Sequence, residues 1–413
     1  MSTVVLGVGG GIAAYKAAEI LRRFTESGHR VRVVPTTAAL KFVGAPTWEA
    51  LSGQPVSTDV FTSVPEVPHV AIGQGADLVV VAPATADLLA KAAHGLADDL
   101  LTNTLLTARC PIVMAPAMHT EMWEHPATQA NVETLRARGV VVLEPAVGRL
   151  TGKDTGKGRL PEPADIVETA MAVLERGEAR TADLAGLRVL VSAGGTREYL
   201  DPVRYLGNRS SGRQGVALAQ AAAARGAKVT LVAANVAVPV PAGVDVVRVE
   251  TTAELYDAML ERSGAADAVV MAAAPADFRP ASVATTKIKK NDEGTVPDVT
   301  LVQNPDILRA LVDERQDRRM PLIVGFAAET GDETAGVLEH ARAKLARKGC
   351  DLLVVNDVSD GKAFDRPENE VVLLGKDGTV TEVPLGAKLT VAHAIWDSVA
   401  QRVDKGDSWP PRV

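Results

Sequence analysis

The sequence has few of the residues on which several protein classes depend. Its 413 residues contain only two cysteines, Cys110 and Cys350, and aromatic residues make up 3%. So few cysteines exclude a disulfide framework and a zinc-ligand spacing, so we expect a protein of the reducing cytoplasm. Each cysteine borders an apolar run, and both are therefore predicted to be buried thiols.

Long apolar runs and an excess of positive charge are also missing. No apolar run is long enough to cross a bilayer. Residues 1–7 lack the basic region and apolar stretch of a signal peptide and are predicted to form a first strand. The net charge of -7 provides no overall basic field for nucleic acid or anionic membranes. We therefore expect small-molecule substrates, with neither nucleic acid nor a membrane as partner.

What the sequence does contain is aliphatic and repeats one pattern. Hydrophobic residues make up 46% of the chain, and the length exceeds that of one typical core, which favours two domains. Residues 4–8 run into a glycine turn, and residues 187–192 do the same in the second half. A helical pattern and a second strand follow each turn, at 30–35 and 227–233. This rhythm predicts an α/β protein with two doubly wound, mostly parallel-sheet (Rossmann-like) domains in tandem.

The remaining apolar segments complete two sheets and place the domain junction. The polar stretch 175–183 is helix-like and has no strand character. We therefore predict domains at 1–178 and 187–413, joined by a linker at 179–186. Further strands are predicted at residues 77–81, 112–115, 140–143, 268–272, 322–326 and 352–356.

One internal segment and the end of the chain are predicted to lack regular structure. Residues 146–160 are glycine-rich and basic, which predicts neither helix nor strand. A mobile flap over a site and a plain surface loop are the two interpretations of this segment. The charged, proline-rich tail 404–413 is expected to fray.

The first glycine turn resembles a dinucleotide-binding turn but departs from it. Ile12 follows Gly9–Gly11 where a further glycine is expected, and Thr36 and Thr37 follow the second strand where an acidic residue is expected. Hydroxyl groups can hydrogen-bond a monophosphate, whereas a ribose diol requires a carboxylate. A mononucleotide such as FMN therefore fits better than NAD, and a purely steric role for the glycines is the alternative.

Three further blocks lie where a ligand crevice is expected. Pro83–Asp87 and Pro116–Trp123 follow predicted strands, and His69 precedes a predicted helix at 71–76. A lone histidine is more often a surface or capping residue than a catalytic one. Together, however, these blocks resemble the homo-oligomeric flavin-containing cysteine decarboxylases. The resemblance implies His69 and His119 as catalytic residues, Met118 as a substrate contact, and a flavin site formed by Gly9, Gly10, Gly11, Ile12, Thr36, Thr37, Pro83, Ala84 and Thr85.

The chemistry implied by this resemblance needs an electron sink. Oxidation of a cysteinyl thiol by the flavin places C=S beta to the carboxylate, carbon dioxide leaves, and the flavin returns the electrons. His69 is then the base. Two positions depart from the family pattern: His119 stands where asparagine is usual, and residues 148–160 contain no cysteine to act as the final acid. A ring N–H of His119 can donate a hydrogen bond to the carboxylate. Thr151, Lys153 and solvent remain alternatives for the final proton.

The second half has features of a nucleotide site but no P-loop. Ser210, Ser211 and Gly212 precede a helix predicted from residue 216, where free backbone N–H groups can bind phosphate or the serines can simply cap the helix. The lysine run 287–290 is by itself typical of a solvated face. Residues 304–307 predict a turn and helix cap.

Lys344 and Lys348 are one helical turn apart and could hold phosphate together. In order and spacing these blocks are similar to the CTP-dependent phosphopantothenate–cysteine ligases. Both halves together resemble the bifunctional phosphopantothenoylcysteine decarboxylase/phosphopantothenate–cysteine ligases of coenzyme A biosynthesis. The resemblance implies Asn208 and Lys287 as catalytic residues. It also implies a substrate and nucleotide site formed by Ser210, Ser211, Gly212, Ala273, Asp277, Lys289, Asn304, Pro305, Asp306, Ile307, Phe326, Lys344 and Lys348.

The resemblance also implies the reaction order and the assembly. CTP activates 4'-phosphopantothenate as an acyl-cytidylate, with Mg²⁺ held through Asp277 or Asp306. Cysteine then displaces CMP, and the first half decarboxylates the product. The family forms large homo-oligomers, so we expect a dodecamer built from trimers and dimers.

Two other interpretations compete with this one. One is an oxidoreductase with two nucleotide-binding halves, which the missing third glycine and missing acidic residue disfavour. The other is a flavin-binding regulatory scaffold that has lost decarboxylase activity. His119 and the absence of a cysteine in residues 148–160 support this interpretation. The retained His69 argues against the scaffold.

Overall fold

The computed structural model divides into two compact units. It describes residues 1–56, 58, 67–150, 154–176, 183–289, 299–329, 337–357 and 368–404. Much of the predicted linker and all but the first residue of the tail expected to fray therefore lie outside the described residues. The first unit comprises Met1–Asp183, Ala224–Gly226 and Pro241–Gly243, and the second comprises Leu184–Ala223, Ala227–Val240 and Val244–Val413.

A parallel sheet forms the centre of the first unit. Its five strands are hydrogen-bonded in the order β2-β1-β3-β4-β5, so the strand order reverses between β1 and β3, as in doubly wound folds. The shortest strand covers only part of the segment predicted at 140–143. The strands are β1 (Thr3–Val8), β2 (Arg30–Pro35), β3 (Leu78–Ala84), β4 (Ile112–Pro116) and β5 (Val141–Val142).

Helices cover both faces of this sheet. Leu6 and Val80 pack with Phe24 and Trp48 on one face, whereas the adjacent residue Val5 packs into a separate cluster on the other. Such burial on both sides requires the unbroken apolar strands seen in the sequence. The helices are α1 (Ala17–Glu26), α2 (Ala45–Ser52), α3 (Pro68–Gln74), α4 (Ala86–His94), α5 (Leu100–Thr107), α6 (Thr120–Glu124), α7 (Pro126–Ala137) and α8 (Pro163–Arg176).

The second unit is built around a larger sheet. Its eight strands follow the order β12-β11-β8-β13-β16-β17-β18-β19. The pairings from β12 to β17 are parallel, and only β17–β18 and β18–β19 are antiparallel. The prediction of two mostly parallel α/β sheets is confirmed. The strands of this sheet are β8 (Arg188–Gly194), β11 (Lys228–Ala234), β12 (Val244–Val249), β13 (Ala268–Met271), β16 (Leu322–Glu329), β17 (Leu352–Asp357), β18 (Glu368–Gly375) and β19 (Val380–Ala387).

Two short antiparallel pairs and five helices complete the described part of the second unit. The pairs are β9 (Arg197–Tyr199) with β10 (Tyr205–Gly207), and β14 (Phe278–Pro280) with β15 (Leu301–Gln303). Helix α9 begins at Arg213, one turn earlier than predicted. The helices are α9 (Arg213–Ala224), α10 (Thr252–Ser263), α11 (Ile307–Arg315), α12 (Val337–Lys348) and α13 (Lys388–Asp404).

Three local predictions were wrong. The segment predicted to lack regular structure contains an antiparallel hairpin of β6 (Ala146–Arg149) and β7 (Thr155–Arg159), because backbone pairing outweighs the low strand propensity of glycine. His69 lies inside α3, not before a helix, since Pro68 starts that helix. Cys350 is buried as predicted, but Cys110 is only half-buried.

Replacing Gly194 with alanine should destabilise the second unit. Gly194 ends β8 with φ +88°, which is costly for other residues, and an added Cβ would overlap the Ala234 carbonyl oxygen on β11. We expect the free energy of unfolding to fall by about 2 kcal/mol or more, measured as a lower urea midpoint. Gly264→Ala is the control, because its added Cβ meets no heavy atom within 4 Å. Equal midpoints for the two variants would contradict the prediction.

Candidate active sites

A cavity of about 780 Å³ opens at the carboxyl ends of the first sheet's strands. It lies beside the point where the strand order reverses, which is the usual ligand crevice of such sheets. Its volume is within the range of pockets that hold a small-molecule ligand. Residues predicted from sequence that line it are Gly10, Gly11, Ile12, Thr36, Thr37, Thr85, Met118 and His119.

At this cavity the glycine turn packs closely against two other backbone segments, at Pro83 and at Ala38. The N–H of Gly9 donates to the carbonyl of Pro83 at 3.0 Å, and an added Cβ at Gly9 or Gly10 would overlap Pro83 or Ala38. Gly11 faces open space, because an added Cβ there meets nothing within 4 Å. Three of the predicted flavin contacts, Gly9, Pro83 and Ala84, do not line the cavity. They support its wall from behind.

The three threonines predicted to contact the flavin differ in the hydrogen bonds that their hydroxyl groups make. Thr85 caps α4, because its hydroxyl accepts from the N–H of Leu88 at 3.3 Å. Thr36 accepts from the N–H of Ala39 at 3.1 Å and is buried. Thr37 is exposed at the cavity. Thr37 is therefore the hydroxyl best placed to hydrogen-bond a ligand, while the other two also hold their turns.

His119 lies where β4 leads into α6, and the hairpin packs against it. The residue occupies the capping position of α6 without a side-chain capping bond, which leaves the imidazole to the cavity it lines. The N–H of Met118 donates to the carbonyl of Gly158 on β7 at 2.9 Å. Gly158 has no side chain to separate the hairpin from this loop. The glycine-rich segment is thus part of the site wall.

His69 is not among the residues that line this cavity. Its carbonyl accepts from the Thr107 hydroxyl at 2.7 Å, at the carboxyl end of α5. Asp99, which caps the amino end of α5, does line the cavity. The helix between them is about 12 Å long. The Nδ1 atom of His69 is buried and accepts or donates no hydrogen bond within the described part of the chain.

Sequence reasoning missed the charged rim of the cavity. Lys91 forms ion pairs with Asp87 at 3.1 Å and Asp98 at 2.9 Å, and all three residues line the cavity. The hydrogen bond from Lys91 to Asp98 is the main reason that the pKa of Lys91 is raised. The i,i+4 spacing of Asp87 and Lys91 could have revealed this pair.

The second unit carries a separate cavity of about 620 Å³ at the corresponding edge of its sheet. The loops after β10 and β13 and the strands β16 and β17 contribute to its wall. Residues predicted from sequence that line it are Asn208, Ser210, Ser211, Gly212, Ala273, Asp277, Asn304, Pro305, Asp306, Ile307, Phe326, Lys344 and Lys348.

Asparagine side chains hold the loops around this cavity. Asn208 donates from Nδ2 to the Pro275 carbonyl at 2.8 Å. Asn304 donates from Nδ2 to the Ala276 carbonyl at 2.8 Å and accepts from Arg279 at 2.8 Å. Asn304 is buried, so it positions the loop after β13, whereas Asn208 is exposed at the cavity and open to a ligand.

The two predicted metal-binding carboxylates differ. Asp306 caps α11 through the N–H of Arg309 at 3.1 Å and is paired with Lys348. Burial acts to raise the pKa of Asp306, but the Lys348 and Arg309 hydrogen bonds outweigh it and hold that pKa low. Asp277 is exposed at the cavity. Within the described ranges there is no cluster of three or more metal-ligating side chains.

Lys287 and Lys289 are exposed and do not line the cavity of their own chain. Sequence reasoning also missed Asn356 in β17, which does line it. The Oδ1 atom of Asn356 is buried, and no described group donates to it. The rule that strand ends line the crevice could have identified Asn356.

In the part of the chain that is described, no helix combines the length and hydropathy needed to cross a membrane.

Known families match both halves of the chain. The flavoprotein family model matches residues 1–175, and the model of the DNA/pantothenate metabolism flavoprotein C-terminal domain matches residues 184–403. The coenzyme A biosynthesis bifunctional protein CoaBC of Mycobacterium tuberculosis is 61% identical over 96% of both chains. Its Vibrio cholerae counterpart is 42% identical over 97% of this chain and 98% of its own.

Solved structures resemble each half separately. The C-terminal domain of a CoaBC protein is 34% identical and covers 55% of this chain and 100% of its own, with a TM-score of 0.46. A PPC decarboxylase mutant complexed with pantothenoylaminoethenethiol is 31% identical and covers 42% of this chain and 98% of its own, with a TM-score of 0.40. The full-length identity to CoaBC proteins decides the matter: the chain belongs to the bifunctional phosphopantothenoylcysteine decarboxylase/phosphopantothenate–cysteine ligase family of coenzyme A biosynthesis.

Proposed function

We propose that the second unit joins 4'-phosphopantothenate to cysteine using CTP and that the first unit decarboxylates the product with FMN. The observation that carries the proposal is the pair of cavities, each at the strand-end crevice of its own sheet and each lined by the motif residues of one activity. The product of the ligase is the substrate of the decarboxylase. The second unit therefore acts first.

In the first unit, FMN would lie against the turn that contains Gly10 and Gly11. The open space beside Gly11 allows a ligand to approach the protein backbone closely. Thr37 offers a hydroxyl for the phosphate of FMN. The bound flavin supplies the electron sink that the decarboxylation requires. His119 donates a ring N–H to the substrate carboxylate, and His69 removes the thiol proton.

In the second unit, the carboxylate of phosphopantothenate attacks the α-phosphorus of CTP and pyrophosphate leaves. The cysteine nitrogen then attacks the acyl carbon and CMP leaves. Asp277 would hold Mg²⁺, which together with Lys344, Lys348 and Lys287 would neutralise the charge that develops on the leaving pyrophosphate. Asn208 donates a hydrogen bond to the activated acyl intermediate. Because Asp306 is paired with Lys348, we assign it to positioning that lysine and not to the metal.

His69 and Lys287 both lie outside the cavity of their own chain. We therefore propose that a homo-oligomer completes both sites, with His69 supplied across a trimer contact of the first unit and Lys287 across a dimer contact of the second. This arrangement accounts for catalytic side chains at a distance from the cavities. It also links trimers and dimers into the expected dodecamer.

Pyrophosphate release tests the nucleotide assignment. With phosphopantothenate present, we expect release with CTP and much less with ATP, and we expect single-turnover release with CTP even without cysteine, because activation precedes amide formation. Comparable turnover on both nucleotides would remove the CTP assignment.

The purified protein should also show flavin absorbance in the visible range, and a colourless protein that does not bind added FMN would contradict the decarboxylase assignment.

A further inference from the structure

Asp201 is a buried carboxylate that neither proposed reaction uses. Its side chain is fully buried in the turn between β9 and β10, and it does not line the cavity. A buried carboxylate is costly unless hydrogen bonds and an opposite charge compensate it. A fold that keeps one there must satisfy it completely.

The carboxylate of Asp201 is satisfied by two separate segments. Oδ1 accepts from the backbone N–H groups of Val203 and Arg204, both at 2.8 Å. Oδ2 accepts from Nε and Nη2 of Arg204 at 2.9 and 2.6 Å. Oδ2 also accepts from the N–H of Ile288 at 3.1 Å. One carboxylate thus connects its own turn with a segment more than eighty residues further along the chain.

Arg204 strengthens the same connection from the other side. Its Nη2 donates to the carbonyl of Ile288 at 2.6 Å, so both backbone groups of Ile288 are held. The N–H of Ala284 donates to the carbonyl of Leu200 at 3.0 Å nearby. The peptide that bears Lys287 is therefore fixed to the turn that leads through β10 to Asn208.

We propose that Asp201 is a positioning residue that holds the Lys287 segment in register with the Asn208 segment. This rests on the proposed role of Lys287 in the ligase half. Because hydrogen bonds to a charged acceptor are stronger than neutral ones, a carboxylate suits a task in which one oxygen serves several donors. Burial acts to raise the pKa of Asp201, but the Arg204, Val203 and Ile288 hydrogen bonds outweigh it and hold that pKa far below its ordinary value, so the group is anionic at neutral pH.

Trypsin cleavage after Lys287 tests the positioning without any ligase chemistry. The bond to be cut joins Lys287 to Ile288, and both hydrogen-bonding groups of Ile288 are engaged. In the full-length Asp201→Asn protein we expect cleavage at this bond, followed by mass spectrometry, to be at least about tenfold faster, which corresponds to about 1.4 kcal/mol of easier local opening. An unchanged cleavage rate would overturn the proposal.

Asp267→Asn is the matched control. Asp267 also accepts from an arginine, at 3.0 Å from Arg188 Nη2, and from a backbone N–H at 2.8 Å, but it precedes β13 at the opposite end of the strands. We expect this control to leave cleavage after Lys287 unchanged. Equal acceleration in both variants would mean general destabilisation and would overturn the specific role of Asp201.

A double-mutant cycle separates positioning from the proposed function of Lys287. If Asp201 acts through Lys287, Asp201→Asn should lower pyrophosphate release in the wild-type background and have little further effect in the Lys287→Ala background. Faster cleavage in Asp201→Asn, combined with unchanged pyrophosphate release in Lys287→Ala, would retain the positioning role of Asp201 and reject the catalytic role of Lys287. Additive losses in the two backgrounds would overturn the action of Asp201 through Lys287.

Discussion

Replacing His69 with glutamine is expected to lower the rate of carbon dioxide release by about 10²- to 10⁴-fold, the usual contribution of a general base. Glutamine preserves bulk and hydrogen bonding but cannot take a proton at neutral pH. Carbon dioxide release from phosphopantothenoylcysteine is the measurement. Flavin content should be unchanged, because the substitution leaves the proposed flavin contacts at Gly10, Gly11 and Thr37 intact, and pyrophosphate release should also be unchanged.

His94→Gln is the control for this substitution. His94 is exposed in the last turn of α4, where it contacts Asn131 at 3.1 Å, and it does not line the cavity. We expect wild-type carbon dioxide release from this variant. The same release from the His69→Gln protein would show that His69 is not the base.

Mixed oligomers then test whether His69 serves a neighbouring subunit. His119→Leu removes the hydrogen bond that we propose to the substrate carboxylate and should be defective by itself. If each site combines His69 of one chain with His119 of another, co-refolding the two defective variants should restore part of the activity. No recovery, with the two chains shown to share oligomers, would place both histidines in one chain's site.

Replacing Lys287 with alanine is the second large effect that we expect. Loss of one charge-stabilising donor typically costs about 10²- to 10³-fold in turnover, and we expect pyrophosphate release to fall by that factor. The decarboxylase half should be unaffected, so carbon dioxide release from supplied phosphopantothenoylcysteine serves as an internal control. Because the side chain is exposed in a single chain, the substitution should not change the urea midpoint.

Lys376→Ala is the matched surface control. Lys376 is exposed in the turn between β18 and β19 and does not line the cavity. We expect it to leave pyrophosphate release at the wild-type level. Equal turnover in the Lys287→Ala and Lys376→Ala proteins would indicate that residues 287–290 are merely a solvated face.

Local sequence rules identified part of each cavity wall because both sheets are mostly parallel. The strand ends of a parallel sheet meet at one edge, so the blocks after each strand, such as Pro116–Trp123, converge without further information. The same rule implies Asn356, which we did not predict. Strands β6 and β7, at 146–149 and 155–159, were not predicted because glycine propensity describes isolated segments, whereas backbone pairing and close packing on Met118 formed these strands.

By itself, the sequence determined the α/β class, the parallel sheets, both strand-end crevices and the family, since these follow from periodicity, glycine turns and the order of motifs. Only the tertiary structure decided what each polar group does. Asp306 is paired with Lys348, Asp201 fixes the backbone of Ile288, and His69 lies at the opposite end of α5 from its cavity. The physical reason is distance along the chain: hydrogen bonds and ion pairs between residues far apart in sequence leave no periodic signal, so their partners become known only when the chain is folded.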